Sequence, residues 1–186
     1  MKNIYKIFLV LALVLGVSSC VEPELAVDEL LDNVDNTGAV LRTLQRPADL
    51  VNNTDGTNSI DIEIEVQEGD GSQPSTFTEV RVYVSLFADQ DLIEEIAPEL
   101  LMMSIPASDF YVSENNQLPA YMIMLGTQLI LDTFDVEYPV PTFIATRLEL
   151  ELADGRIFTV GDISETVATG AFYASPFLYK TIYINN

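Results

Sequence analysis

The chain has 186 residues, a length for one domain with an appendage, and 29 acids against 8 bases set its formal net charge at −21. That balance excludes a sequence-independent nucleic-acid binder, which needs cations to displace counterions from phosphate, and it opposes adsorption to an anionic membrane face. There is no His, no Trp and a single Cys, which removes His-based triads, haem on His and zinc sites built from His and Cys; the 48% apolar share is that of a folding chain, not a disordered one.

Lys2 and Lys6 precede an apolar run at residues 7–17 (IFLVLALVLGV), relieved only by Gly16. The run is shorter than the roughly 20 residues that a helix needs to cross a bilayer. It predicts the h-region of a secretory signal peptide over residues 1–19. Val17, Ser18, Ser19 and Cys20 follow. Small residues give a peptidase access to the backbone, and a thiolate makes a thioether. This string resembles the lipobox of bacterial lipoproteins, with Val17 where Leu is commoner. The resemblance implies cleavage before Cys20, a diacylglycerol on its thiol and an acyl chain on the new amino group. Two or three buried acyl chains, at about 0.8 kcal/mol per CH2, anchor a protein without a transmembrane helix. A lone lipidated Cys leaves no disulfide, although the compartment would permit one. Without residues 1–19, six bases face the same 29 acids, a formal −23.

Residues 20–37 read as a tether. Glu22, Glu24, Asp28, Glu29, Asp32 and Asp35 lie there with no base, which predicts a solvated, self-repelling spacer. A short amphipathic helix over residues 27–34 would place Leu30, Leu31 and Val34 on one face. Acids soon after the lipid-bearing Cys also resemble the export signals of surface-exposed lipoproteins in some Gram-negative bacteria. That likeness implies an outer-membrane protein facing outward.

Residues 38–186 carry strand signals. Residues 59–67 alternate strictly, with Ile60, Ile62, Ile64 and Val66 opposite Asp61, Glu63, Glu65 and Gln67; a period of two makes a half-buried strand. Residues 79–87 repeat it with Val80, Val82, Val84 and Leu86 inward, after a turn-rich EGDGSQPST connection. Residues 144–152 alternate again, with Leu148, Leu150 and Leu152 opposite Arg147, Glu149 and Glu151. Asp154-Gly155 then predicts a hairpin, both turn positions tolerating positive φ, into an extended run at 156–160. Residues 177–184 form the last strand, and 39–44, 100–105 and 120–125 give weaker ones. Thr127 is placed to cap a helix over 128–134 that buries Leu129, Ile130 and Phe134, and residues 91–96 predict a single helical turn before Pro98. Seven or eight short strands point to an antiparallel β-sandwich of about seven strands, Ig-like or fibronectin-like, with a barrel as the second architecture.

Candidate chemistry is sparse. A glycosidase needs two carboxylates flanking a cleft, and pairs such as Glu94 with Glu95 or Glu149 with Glu151 sit on solvent-facing patterns. Asn53, Asp55 and Asn58, and Glu68 and Asp70, are oxygen ligands on Gly-containing loops and are weak calcium candidates. The first loop lacks the later Glu of an EF-hand, and turn chemistry accounts for these residues as well. Phe172, Tyr173, Phe177, Tyr179 and Tyr183, with Tyr111, Tyr121, Tyr138 and Phe143, read as core or cross-strand partners before sugar platforms. Met102, Met103, Met122 and Met124 read as core fillers.

The segment order carries a second resemblance. GAVLRTL (38–44), EVRVYVSL (79–86), IPASDF (105–110), LPAYMIML (118–125), LELELADGRIFT (148–159) and GAFYASPFLYKTIYI (170–184) together resemble surface lipoproteins encoded near outer-membrane importers of the SusC/SusD type. The resemblance implies a noncatalytic accessory that binds a glycan or peptide cargo or docks on the importer. It transfers no functional residues. The expectation is a lipid-anchored binding or scaffolding protein with no catalytic residue, no nucleic-acid partner and no cofactor beyond the lipid on Cys20. The alternatives are a structural envelope or filament subunit and a carboxylate-based glycoside hydrolase.

Overall fold

Alternating apolar residues build two sheets around one core. The computed structural model describes residues 38–52, 54, 58–69, 76–170 and 174–185; the signal-peptide, lipobox and tether expectations lie outside them. The strands are β1 (Ala39–Gln45), β2 (Leu50–Asn52), β3 (Ser59–Glu68), β4 (Phe77–Phe87), β5 (Glu95–Pro106), β6 (Tyr111–Val112), β7 (Pro119–Gly126), β8 (Thr142–Leu152), β9 (Ile157–Phe158) and β10 (Leu178–Ile184). Two short α-helices, α1 (Thr127–Phe134) and α2 (Glu165–Thr169), join them. The ten strands among the described residues exceed the expected seven or eight; β2, β6 and β9 have two or three residues each, too few to show a period.

One sheet has the order β1-β3-β7-β6, the other β2-β10-β8-β4-β5, with β9 also on β8. All pairs are antiparallel except β2 with β10. With β1, β3, β7 and β6 as strands A, B, E and D, and β4, β8 and β10 as C, F and G, this is the immunoglobulin arrangement. The first strand is divided between the sheets: Pro47, which has no N–H to give a ladder, stands between β1 and β2.

The core comes from the expected faces. Ile60, Ile62, Ile64 and Val66 of β3, Val80, Val82, Val84 and Leu86 of β4, and Leu148, Leu150 and Leu152 of β8 are buried and belong to one cluster. On β10 the buried face is Tyr179, Thr181 and Tyr183, while Leu178, Ile182 and Ile184 are half-buried. Phe177 precedes β10 in the left-handed region (φ 55°) with its ring fully buried, and its carbonyl accepts from the Leu148 amide. The Thr43 and Tyr179 hydroxyls bond at 2.8 Å, tying β1 to the opposite sheet.

Three local expectations are corrected. No helical turn forms at 91–96. The Asp89 carboxylate accepts from the amides of Asp91, Ile93 and Glu94 instead, and β5 begins at Glu95 and runs through Pro98. The α1 helix buries Ile130 and Leu131, and Leu129 is 64% exposed. The Thr127 hydroxyl does not cap that helix; it donates to the Asn58 carbonyl and holds α1 against the start of β3. At the Asp-Gly turn only Gly155 has positive φ (85°). The Leu152 carbonyl accepts from Gly155, and its amide donates to Arg156. This is a three-residue loop in which glycine takes the left-handed position.

Candidate functional site

Three polar constructions stand out among the described residues, the first two on alternating strands and the third at the end of a helix. The first lies on the outer face of the six-stranded sheet. Residues of β4 and β8 that alternate with the core valines and leucines project outward together: Arg81 opposes Glu149, Tyr83 opposes Arg147, and Glu79 opposes Glu151. Arg81 reaches Glu79 at 2.6 Å, Glu149 at 3.3 Å, and Glu151. Arg147 grips Glu99 of β5 through two bonds of 2.7 Å and donates to Glu149 and Thr159. Its guanidinium lies 4.4 Å from the Tyr83 ring centroid.

Two arginines therefore serve four glutamates. The bond from Ser104, then that from Arg81, lowers the Glu79 pKa below the ordinary carboxylate value. Burial works against the Glu149 carboxylate, and Arg147 with Tyr83 and Arg81 outweighs it, so its pKa is lowered too. Hydrogen bonds from Arg147 to Glu99 hold that guanidinium's pKa above its usual value. Each of these carboxylates is tied to an arginine, and the lowered pKa values of Glu79 and Glu149 run opposite to the raised value of a general acid kept protonated near neutrality. Glu149 and Glu151, weighed above as a hydrolytic pair, share Arg81 on one strand face.

The second construction is the acid row of β3, on the outer face of the four-stranded sheet. Glu65 is fully buried there. Arg42 of β1 approaches its Oε1 at 2.6 Å, and Asn116 donates to Oε2 at 2.9 Å. The Arg42 contact is a charge contact without hydrogen-bond alignment: Oε1 and Arg42 Nε both lack a hydrogen-bond partner. Glu63 accepts from the Tyr111 hydroxyl, and that bond, with burial second, raises the phenol's pKa to about 12. The sequence pattern placed Glu65 on a solvent face. Its cover comes from a loop 51 residues away, which no local period reveals.

The third is an open depression of about 360 Å³ at the end of α1, lined by Leu131, Asp132, Asp135, Val136, Glu137 and Tyr138. Burial raises the Tyr138 pKa, and its ring meets Tyr183 edge-on at 5.9 Å. Its lining residues include three carboxylates, Asp132, Asp135 and Glu137, and no Lys or Arg.

Of the calcium candidates, Asn53, Asp55 and Asp70 lie outside the described residues. Glu68 is engaged locally, accepting from the Thr76 amide at 2.8 Å and the Thr76 hydroxyl at 3.1 Å. Asn58 offers its carbonyl to Thr127. Among the described residues no group of three or more His, Cys, Asp or Glu is placed to hold a metal ion. Cys20, Phe172 and Tyr173 also lie outside them. Of the aromatics expected in the core, Phe143, Phe177, Tyr179 and Tyr183 are buried, and half-buried Tyr121 packs on Phe110, which meets Phe77 edge-on. Tyr111 is exposed. Met102 and Met103 pack on the core, but Met122 is half-buried and Met124 is 65% exposed on the acid-row face, so those two are not core fillers.

No protein-family model matches this chain, and no curated protein matches it.

Proposed function

We propose that this protein is a lipid-anchored component of the bacterial outer membrane that binds or scaffolds a partner at the cell surface and performs no chemistry of its own. The observation that carries the reading is Cys20, the single Cys of the chain, at the end of an eleven-residue apolar run and behind two serines. The sandwich supports it. Its charged ladder ties four glutamates to two arginines, and its loops and edges rest on a two-sheet frame, an arrangement suited to recognition. The strings that resemble those of accessory lipoproteins of SusC/SusD-type importers favour a place beside a nutrient importer, with a glycan or peptide as cargo.

Gentle detergent extraction of the native membrane, followed by isolation of the chain, tests this. The expected result is a lipid-bearing chain in stoichiometric complex with an outer-membrane protein. A monomer that captures no protein and binds neither glycan nor peptide contradicts it.

A further inference from the structure

Four strands border the two sheets, and most of that border is closed. The β1 edge meets the chain before β10, where the Thr43 amide donates to the Ala174 carbonyl at 3.0 Å. The β2 strand has only three residues. The β5 strand carries Pro98, Pro106, Glu95 and Glu99 and breaks register against β4 three times, the devices that blunt an edge. The fourth border differs. The two-residue β6 covers only Pro119 and Ala120 of β7. From Tyr121 to Gly126, β7 is the edge, with no proline, no charge and no register break against β3. Among the described residues no backbone group pairs with this stretch on the side away from β3.

Side chains give the edge a chemical preference. Met122 opposes Glu63 and Met124 opposes Asp61 on the outer face. Neither acid has an ion-pair partner among the described residues, and Asp61 Oδ1 is buried without a hydrogen-bond partner. A strand added to β7 lies roughly 10 Å, two strand spacings, from β3. A Lys or Arg on its outer face lays its stem over Met122 and Met124 and carries its charge to Asp61 and Glu63. Its alternate residues continue the inner face of Tyr121, Ile123 and Leu125. A second copy fits less well, because chains of net charge −21 repel. We propose that the open edge of β7 accepts an extended segment of a partner protein, alternating apolar and basic residues, as an added strand. This rests on the chain being a binding module and is independent of the lipid.

The full chain in non-ionic detergent is titrated with a Lys-Val-Lys-Val-Lys-Val-Lys peptide, read by fluorescence anisotropy and amide hydrogen exchange. The expected result is binding that slows exchange at residues 121–126 tenfold or more. Asp61→Asn and Met124→Lys each weaken it at least fivefold, and Leu101→Lys on β5 leaves it unchanged. Should Met124→Lys fail to fold by circular dichroism, Asp61→Asn decides. A peptide with a central proline that binds equally well, or protection that falls on the acidic loops instead of β7, overturns the proposal. So does concentration-dependent protection of β7 without peptide, which assigns the edge to a second copy. An outer-membrane partner still retained by Asp61→Asn and Met124→Lys chains removes the edge assignment and leaves the binding function standing. Peptide docking on β7 with no native partner does the opposite.

Discussion

Glu65 is the residue where sequence pattern and environment part most sharply. A fully buried carboxylate persists only with a compensating charge, and Arg42 at 2.6 Å supplies it. Removing the cation leaves an uncompensated buried charge, so Arg42→Ala is expected to cost about 3 kcal/mol in urea unfolding. Replacing both partners, Arg42→Met with Glu65→Met, is expected to restore most of that stability; a single variant costing under about 1 kcal/mol contradicts the assignment. Tyr111 reports on the neighbouring acid. Its hydrogen bond to Glu63, with burial second, raises its pKa from 10.0 to about 12. The fold favours the neutral phenol, so this contribution is complete below pH 10 and is lost as pH rises from 10 toward 12. Ultraviolet titration, taken as the difference from Tyr111→Phe, should show ionisation near pH 12, moving back toward 10 in Glu63→Gln.

At the scale of the element, α1 separates propensity from packing. Its apolar residues Leu129, Ile130, Leu131 and Phe134 permit more than one buried face, and the Thr127 bond to Asn58 selects the face of Ile130 and Leu131. Ile130→Ala is therefore expected to cost about 2–5 kcal/mol, and Leu129→Ala under about 0.5 kcal/mol; equal losses in thermal unfolding contradict this face. The long strands were legible because β3, β4 and β8 alternate for many residues, and their buried faces are the expected ones. The short ones were not: β2, β6 and β9 exist only through the partners they pair with. At residues 91–96 no helical turn forms because Leu92 takes a left-handed φ of 58° and β5 begins at Glu95, while Asp89 holds the turn between them through three amides. The outward charges of β4 and β8 were legible as a face. Their joining into one ladder with Glu99 was not, since that needs the register of three strands.

At the scale of the whole molecule, the described residues form a sandwich whose acidity is only partly neutralised within itself. Arg42, Arg81, Arg147 and Arg156 are each in ion pairs with acids of this chain, and Lys180 donates to the Gln90 carbonyl. Among the described residues, Asp61 and Glu63 lie beside the open β7 edge without an ion-pair partner. A surface so strongly negative opposes self-association and favours a cationic partner. It also makes retention at an anionic bilayer depend on a hydrophobic anchor. The proposed placement at the outer membrane therefore turns on Cys20. Mass spectrometry of the amino-terminal peptide from the native chain is the most direct measurement. The expected result is a polypeptide beginning at Cys20 with diacylglycerol on sulfur and an acyl chain on nitrogen. A chain that still begins at Met1, or that carries an unmodified Cys20 thiol, contradicts it.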